Sequence, residues 1–254
     1  MILPRVMPTL LLQGEGLVKG TKFKNHKYVG DPINAVKIFN EKEVDELIFL
    51  DITATREGRT PSIPLVERLA DECFMPFGVG GGIRSVETVR AILGAGAEKV
   101  AVNSASMDTP DLITRIAEIF GSQAVVASID VAKTWTGAYR VATRSGSVRS
   151  DRDPVEWACE MEKRGAGEIL LNSIDRDGTM SGYDIPLLRS VVDAVSIPVI
   201  AAGGAGSVGD LAAAIQQGHA AAVSAGALFV FHGPKRAVLI NFPGRKELAT
   251  LANP

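Results

Sequence analysis

Short runs of aliphatic and β-branched residues alternate along this chain with longer stretches in which apolar residues recur at helical spacing. The short runs predict eight strands, at 6–12, 46–51, 77–80, 99–103, 124–129, 168–173, 199–202 and 221–225. Between them, amphipathic helices are predicted at 31–42, 63–72, 85–94, 111–120, 154–164, 184–195 and 207–217. The strands are apolar on both faces, as in a parallel sheet that is covered on both sides. Eight such strand–helix units predict an α/β fold, a (β/α)8 TIM barrel, with an open doubly wound sheet as the alternative.

An internal repeat divides the chain into two similar halves. The segment Val-Gly-Gly-Gly-Ile-Arg-Ser-Val at 79–86 returns as Ala-Ala-Gly-Gly-Ala-Gly-Ser-Val at 201–208. The same offset of 122 residues relates three pairs of positions, which are Gly82 and Gly204, Ser104 and Gly226, and Glu46 and Glu168. One offset across three elements indicates two half-barrels of four units each. No linker interrupts them, so we predict a single domain over 1–254, with an atypical strand-like tail at about 229–243.

Composition and charge exclude several classes of protein. The 254 residues carry a net charge of −2, which argues against a nucleic-acid partner, because such proteins usually show a basic excess. No apolar stretch reaches the ~18 residues that a membrane span needs. The two cysteines lie far apart in sequence, so we expect no disulfide framework and a cytoplasmic location. Three scattered histidines lack metal-ligand spacing, and we expect neither a metal nor a cofactor.

Glycines and small polar residues follow four of the predicted strands. Gly80–Gly82 and Gly203–Gly204 follow strands three and seven, and the pairs Asn103-Ser104 and Ala225-Gly226 follow strands four and eight. Glycine lets the backbone approach a ligand closely, and amides at a helix start favour an anion. The repeat therefore predicts two phosphate-binding sites, one in each half. The alternative is that these glycines only form tight turns.

Acidic residues also fall at predicted strand ends. Asp51, Asp130, Asp175 and Asp177 occupy such positions, and Asp130 closes the apolar run 125–129. A carboxylate at the mouth of a barrel can act as a general acid or base when its surroundings raise its pKa. The structural alternative for Asp130 is a helix cap or a partner for Lys133 or Arg176.

The opposite end of the predicted barrel carries a different pattern. Arg5, Glu46, Lys99 and Glu168 stand at the entrances of strands one, two, four and six. Two cations and two carboxylates converging there would form a charged ring. One interpretation is a salt-bridged plug that stabilises the barrel. The other is a gate, since desolvation makes such a plug an inefficient source of stability.

Several motifs resemble the cyclase subunit of imidazole glycerol phosphate synthase. They are Asp-Glu-Leu-Ile-Phe-Leu-Asp-Ile-Thr at 45–53, Val-Gly-Gly-Gly-Ile-Arg at 79–84, Phe-Gly-Ser-Gln-Ala-Val-Val at 120–126, Lys-Arg-Gly-Ala-Gly-Glu-Ile-Leu-Leu at 163–171 and Ser-Ile-Asp-Arg-Asp-Gly-Thr at 173–179. The resemblance implies that a glutaminase subunit docks at the barrel bottom and that ammonia passes through a gate formed by Arg5, Glu46, Lys99 and Glu168. It implies Asp130 as the catalytic acid. It also implies binding of a phosphorylated or nucleotide-linked small molecule by Lys19, Gly82, Asn103, Ser104, Asp177, Gly178, Gly204, Ala225 and Gly226.

One departure from that family changes the functional prediction. The family's catalytic aspartate is replaced by Leu11 in Thr-Leu-Leu-Leu at 9–12, and leucine cannot carry a proton. The first long loop and the tail also depart from the cyclase pattern. Leu11-Leu12, the segment at 34–47 and the tail resemble a paralogous branch that serves acetamidino-sugar formation for bacterial surface polysaccharides. That resemblance implies that the barrel supplies ammonia to a separate ATP-dependent sugar amidotransferase. We therefore predict an ammonia-conducting subunit, with a true cyclase and a non-catalytic scaffold that activates a glutaminase as the alternatives.

Overall fold

Eight parallel strands form a closed barrel in the computed structural model, which describes residues 4–251. Within these residues the strands are β1 (Arg5–Gln13), β2 (Gly16–Thr21), β3 (Lys24–Gly30), β4 (Leu47–Asp51), β5 (Phe77–Gly80), β6 (Lys99–Val102), β7 (Val125–Lys133), β8 (Tyr139–Thr143), β9 (Val148–Arg149), β10 (Glu168–Ser173), β11 (Val199–Ala202), β12 (Ala222–Ala225), β13 (Phe231–His232) and β14 (Ala237–Val238). The barrel order is β1-β4-β5-β6-β7-β10-β11-β12, and β12 pairs with β1 to close it. The predicted barrel is confirmed, and the open sheet is wrong.

Helices surround the barrel and connect its strands. In the described residues they are α1 (Pro32–Glu41), α2 (Ala54–Glu57), α3 (Ile63–Glu72), α4 (Val86–Gly94), α5 (Ser104–Asp108), α6 (Asp111–Phe120), α7 (Pro154–Lys163), α8 (Ile185–Val192), α9 (Val208–Gln216), α10 (Ala227–Val230) and α11 (Arg245–Leu248), with 3-10 turns at Ser122–Ala124 and Ala249–Leu251. The starts of the long helices follow from local sequence. Asp31 accepts a hydrogen bond from the Asn34 amide ahead of Pro32, and Ser207 forms a capping box with Asp210.

The apolar core has an outer and an inner part. The outer part fills the layer between the helices and the barrel. The inner part lies inside the barrel, where strand residues of alternate orientation meet. It consists of Met7, Ile48, Ala101, Val126, Leu170, Ile200 and Ala222, with Leu50 and Ala202 packed against it. The barrel interior is therefore lined by apolar side chains.

Two antiparallel additions rise from the carboxyl ends of the barrel strands. The chain after β1 folds into the hairpin of β2 and β3, and β7 extends into a second antiparallel unit with β8 and β9. Phe23, at the tip of the first hairpin, packs against Ala132, Ala142 and Ile174. The two additions therefore meet above the barrel mouth.

The tail is less strand-like than the sequence predicts. Phe229 and Val230 end helix α10 and are buried, at 1% and 2% exposure, because the helix packs their side chains into the outer core. Only residues 231–232 and 237–238 pair as strands, in a short hairpin. The strand-like segment predicted at 229–243 is thus reduced to that hairpin.

Residues 4–251 offer neither a membrane span nor a metal cluster. No helix there is both long and apolar enough to cross a membrane. That part of the chain also holds no cluster of His, Cys, Asp and Glu side chains able to bind a metal ion. Cys73 and Cys159 are both free thiols.

Candidate functional site

The four charged residues at the strand entrances form one closed ring of ion pairs. Arg5 donates to Glu46 at 2.6 Å and to Glu168 at 2.5 Å. The Nζ atom of Lys99 lies 2.9 Å from Oε1 of Glu46 and 3.0 Å from Oε2 of Glu168. Each carboxylate therefore contacts both cations, and each cation contacts both carboxylates. This is the geometry that the sequence predicts for these residues.

The carboxylates of this charged ring are more deeply buried than the cations. Only 4% of the Glu46 side chain is exposed, against 32% of the Arg5 side chain. The ring closes the end of the barrel where β1, β6 and β10 begin. Beyond it lie the apolar side chains of the barrel interior. A species crossing the ring would therefore pass from ion-paired groups directly into an apolar space.

A cavity of about 810 Å³ opens at the opposite end of the barrel. Ala101 and Leu170, which belong to the apolar interior, also line the floor of this cavity. Its walls carry nearly every residue that the sequence analysis assigned to catalysis or phosphate binding. Of that set, only Gly178 and Gly204 do not line it directly; they lie beside it in the turns after β10 and β11. The predicted site residues are therefore brought together at one mouth.

Asp130 projects from β7 into this cavity and is held by two amides. Asn103 Nδ2 donates to one carboxylate oxygen at 3.0 Å, and Asn172 Nδ2 donates to the other at 3.2 Å. Burial raises the pKa of Asp130 to about 7, although the two hydrogen bonds act in the opposite direction. Neither predicted structural partner contacts it, because Lys133 pairs with Asp184 and Arg176 bonds to Ser181. The carboxyl is therefore suited to exchange a proton near neutral pH.

Leu11 lines the same cavity as Asp130 but brings no polar group to it. Its side chain is 8% exposed and sits on β1 where that strand pairs with both β2 and β4. Thr9, two residues earlier on β1, is polar, and its hydroxyl hydrogen-bonds to that of Ser224 on the adjacent strand β12. This wall of the mouth therefore has no carboxylate at position 11 that could exchange a proton.

The second phosphate site predicted from the sequence surrounds an ion pair. We call it the second cradle, formed by Asp177, Gly178, Gly204, Ala225 and Gly226. Lys19 Nζ donates to Asp177 Oδ1 at 2.7 Å, and Lys19 is only 5% exposed. A Cβ atom at Gly226 would lie 3.2 Å from Lys19 Cε, so a larger side chain would displace that lysine. Gly178 and Gly204 have φ of +68° and +128°, which disfavours any other residue there.

The first phosphate site predicted from the sequence lies across the mouth, at the ends of β5 and β6. We call it the first cradle, formed by Gly82, Asn103 and Ser104. The amide of Gly82 donates to the hydroxyl of Thr55 at 3.1 Å. The hydroxyl of Ser104 accepts from the Arg144 amide at 2.8 Å. Groups of the protein itself thus occupy part of the hydrogen-bonding capacity of this cradle.

Sequence reasoning missed three residues that shape the mouth. Asn172 interrupts the apolar run of β10, and that polar interruption was the available signal for its contact with Asp130. Arg144 and Ser145 close over the first cradle, where the Ser145 hydroxyl donates to the Ile52 carbonyl at 2.8 Å. No pattern in the sequence reveals these last contacts, because they join segments 40 and 93 residues apart.

Comparison with known proteins places the chain in a family. The model for "Histidine biosynthesis protein" matches residues 5–233. A protein of Pseudomonas aeruginosa named "Putative imidazole glycerol phosphate synthase subunit hisF2" is 51% identical over 248 residues, which cover 98% of this chain and 99% of that protein. The chain belongs to the HisF family of imidazole glycerol phosphate synthase subunits.

Two further relatives span most of the chain. A Leptospira interrogans protein with a similar name is 48% identical over 252 residues, covering 99% of both chains. The "Imidazole glycerol phosphate synthase subunit HisF" of Caulobacter vibrioides is 47% identical over 232 residues, covering 91% of this chain and 89% of that protein. The family resemblance inferred from the sequence motifs is thereby confirmed.

Proposed function

We propose that this chain is the ammonia-conducting synthase subunit of a glutamine amidotransferase complex. A glutaminase docks at the charged ring, and ammonia passes through the apolar barrel interior to the mouth. The acceptor is a surface-polysaccharide sugar whose acetamido group becomes acetamidino, with a separate ATP-dependent amidotransferase activating it. The observation that carries this proposal is the complete charged ring together with Leu11 at the mouth.

The barrel interior supports conduction of a neutral molecule. Its lining is apolar from Met7 and Ala222 near the ring to Ala101 and Leu170 at the cavity floor. An ion would lose its hydration in such a space at a large cost in free energy, whereas the cost for neutral ammonia is far smaller. The ring excludes bulk cations and water while closed. Its function is then to open when the glutaminase binds.

The residues at the mouth support the inference that ring-closing activity has been lost. A cyclase that uses two carboxylates loses one of them when leucine occupies position 11. Loss of a general base typically lowers a rate by roughly 10²–10⁴-fold, which is too large for a biosynthetic step. Passage of ammonia, by contrast, needs no proton transfer at that wall.

An isotope experiment tests the conduction step. The chain is mixed with its glutaminase, the sugar amidotransferase, ATP and the acetamido sugar, with amide-¹⁵N glutamine and an excess of unlabelled ammonium. We expect the acetamidino product to keep the ¹⁵N label, because ammonia reaches the acceptor without mixing with solvent. Ala222→Leu, which fills the apolar interior, should dilute the label while glutamine hydrolysis continues. Equal dilution in the wild type would overturn the proposal.

The second candidate function is that of a true cyclase, and the raised pKa of Asp130 favours it. Its pKa of about 7 suits acid–base catalysis, and one relative at 47% identity carries the name of the cyclase subunit itself. Purified chain assayed with ammonium salt and the ribulosyl aminoimidazole substrate separates the two functions. Turnover within tenfold of an ordinary cyclase would favour this second candidate. Activation of glutaminase with no product from either acceptor would instead indicate a scaffold.

A further inference from the structure

An almost fully exposed tryptophan stands beyond the mouth of the barrel. Trp135 lies in the turn between β7 and β8, past the point where Asp130 faces the cavity, and it is 97% exposed. It does not line the cavity itself. Tryptophan is among the residues that contribute most to protein–protein binding, because its large ring gains much free energy when it leaves water. The exposed ring therefore offers an anchor for a partner.

Hydrogen bonds and an ion pair hold the turn that carries Trp135. The Thr134 amide donates to the Ala138 carbonyl at 2.8 Å and closes the turn. At its base, Nζ of Lys133 lies 3.5 Å from Oδ2 of Asp184. A residue on such a turn loses little conformational freedom when a partner binds. The backbone position of Trp135 is therefore fixed before binding.

Positive charge surrounds this turn. The two antiparallel additions, residues 16–30 and 133–149, contain eight lysines and arginines but no aspartate or glutamate, although the whole chain has a net charge of −2. Phe23 of the first addition packs against Ala142 of the second, so the two additions form one continuous surface. We call their outer faces the basic rim.

Six of the eight cations of the basic rim are without an ion pair. Within residues 4–251, Lys19 pairs with Asp177 and Lys133 pairs with Asp184. The other six form no ion pair there, and all but the half-buried Arg140 are exposed: Lys22, Lys24, Lys27, Arg140, Arg144 and Arg149. The basic rim therefore presents a positively charged surface to solvent.

Charges next to the basic rim balance one another. They belong to the cavity wall, to the residues that flank the additions in sequence, to the turn after β10 and to the tail hairpin. In the described chain the acids among them without an ion pair are Asp31, Asp108, Asp130, Asp151, Asp153 and Asp175. The cations without one are Arg56, Arg84, Arg152, Arg176, Lys235 and Arg236. The excess of positive charge at this end of the molecule therefore comes from the basic rim.

A small molecule in the cavity does not reach most of the basic rim. Among the six cations without an ion pair, only Arg144 lines the cavity. Lys24, Lys27 and Trp135 lie outside it, whereas a protein surface laid across both additions can contact all three. An aromatic anchor among cations fits a protein with an acidic face. A nucleic acid fits less well, because the rest of this chain is negatively charged and would repel it.

We propose that the basic rim is the docking surface for the ATP-dependent enzyme that activates the acceptor, and that this enzyme presents an acidic face with an apolar pocket for Trp135. The inference rests on the proposed function, in which ammonia leaves the barrel at this mouth. Ammonia that escapes into neutral water becomes ammonium, which has no lone pair with which to attack a carbon. The acceptor enzyme therefore has to cover the mouth. The cations of the rim attract and orient it, and Trp135 slows its dissociation.

Binding of the purified sugar amidotransferase to the intact chain tests the docking surface. Biolayer interferometry at low and at high salt gives the association rate, the dissociation rate and Kd. We expect Trp135→Ser to raise Kd at least about tenfold, mainly through faster dissociation. The double variant Lys24→Glu with Lys27→Glu should slow association at least about fivefold at low salt and less at high salt.

Two variants away from the basic rim serve as matched controls. Phe74→Ser removes an aromatic side chain that is 87% exposed and precedes β5, at the opposite end of the barrel. Arg115→Glu reverses an exposed charge on α6. Neither should change the affinity for the amidotransferase. Unchanged melting temperatures of all variants show that they remain folded.

Several outcomes would overturn the docking surface. They are absence of binding, equal affinity of wild type and Trp135→Ser, and an equal loss in Phe74→Ser and Trp135→Ser. A single-stranded RNA that binds as tightly and competes with the amidotransferase would assign the rim to nucleic acid instead. Failure of the proposed function is distinguishable, because the binding measurement needs neither glutamine nor ammonia. Diluted label in the isotope experiment together with tight binding that depends on Trp135 would reject ammonia conduction alone.

Discussion

The Nζ atom of Lys99 lies 3.0 Å from Oε2 of Glu168, although the two residues are 69 positions apart in the sequence. Lys99 begins β6 and Glu168 begins β10, with β7 between them in the barrel. Their contact crosses the barrel opening and closes half of the charged ring. Removal of one member should therefore affect both folding and passage.

Lys99→Met is expected to destabilise the chain. Glu46 and Glu168 would retain only Arg5, and two nearly buried carboxylates would repel each other. Loss of one partner of a fully buried ion pair costs about 3–5 kcal/mol, and the partial exposure of this ring reduces the expected loss to about 1–3 kcal/mol. Urea unfolding of the variant and the wild type measures this loss in the free energy of unfolding. Lys163→Met, an exposed lysine without an ion pair in the described chain, should shift the free energy of unfolding by less than about 0.5 kcal/mol.

Asp130→Asn should change how stability depends on pH. The folded-state pKa of Asp130 is raised from 3.8 to about 7, so between these pH values the carboxyl is ionised in the unfolded chain but still protonated in the folded one, and the wild type loses stability as pH rises. The variant lacks this loss. Its free energy of unfolding relative to wild type should rise by about 2–4 kcal/mol between pH 4 and pH 8 and level off above pH ~7.

Urea titrations at several pH values measure this difference. A change in stability from altered hydrogen bonding is the same at every pH, so it does not affect the slope of the difference against pH. Asp151→Asn, at an exposed aspartate, serves as the matched control. A difference between Asp130→Asn and wild type that stays flat over this pH range would contradict a buried carboxyl with a raised pKa.

Leu11→Asp is expected to increase ring-closing activity with ammonium salt by at least about tenfold over wild type. The reason is that Asp130 and both cradles are in place, so a carboxylate at position 11 completes a two-carboxylate mouth. Leu11→Asn is the matched control, because it is polar and of similar size but cannot act as a base. Leu11 is 8% exposed, so both variants should lose about 1–3 kcal/mol of stability. Equal rates in the two variants would show that the remaining site is not competent.

Arg236→Met should loosen the hairpin of β2 and β3. Arg236 donates to the Thr21 hydroxyl at 3.3 Å and to the Gly178 carbonyl, and its guanidinium lies 4.9 Å from the centre of the Phe231 ring. These contacts tie the tail hairpin to the first hairpin and to the second cradle. Amide hydrogen exchange over residues 21–28 should accelerate about tenfold or more.

Arg245→Met removes a surface pair with Glu43 and should leave exchange in that hairpin unchanged. Equal exchange in Arg236→Met and wild type would show that the tail does not hold the first hairpin in place.

The sequence by itself determined the barrel and the position of its ends. Apolar runs and helical spacing are local properties, and the 122-residue repeat fixed which strands correspond between halves. Position at a predicted strand end was enough to place Asp130 at the mouth, although β7 continues past it to Lys133, and to place Arg5, Glu46, Lys99 and Glu168 at the bottom. The location of those residues follows from their position in the sequence relative to the predicted strands.

Only the tertiary structure decided which groups meet. The bonds of Asp130 to Asn103 and Asn172, and of Arg236 to Gly178, join strands and turns whose proximity depends on barrel closure and strand stagger. The short extent of the tail strands was likewise set by packing, since Phe229 and Val230 gain more from burial in a helix against the core than from an exposed strand.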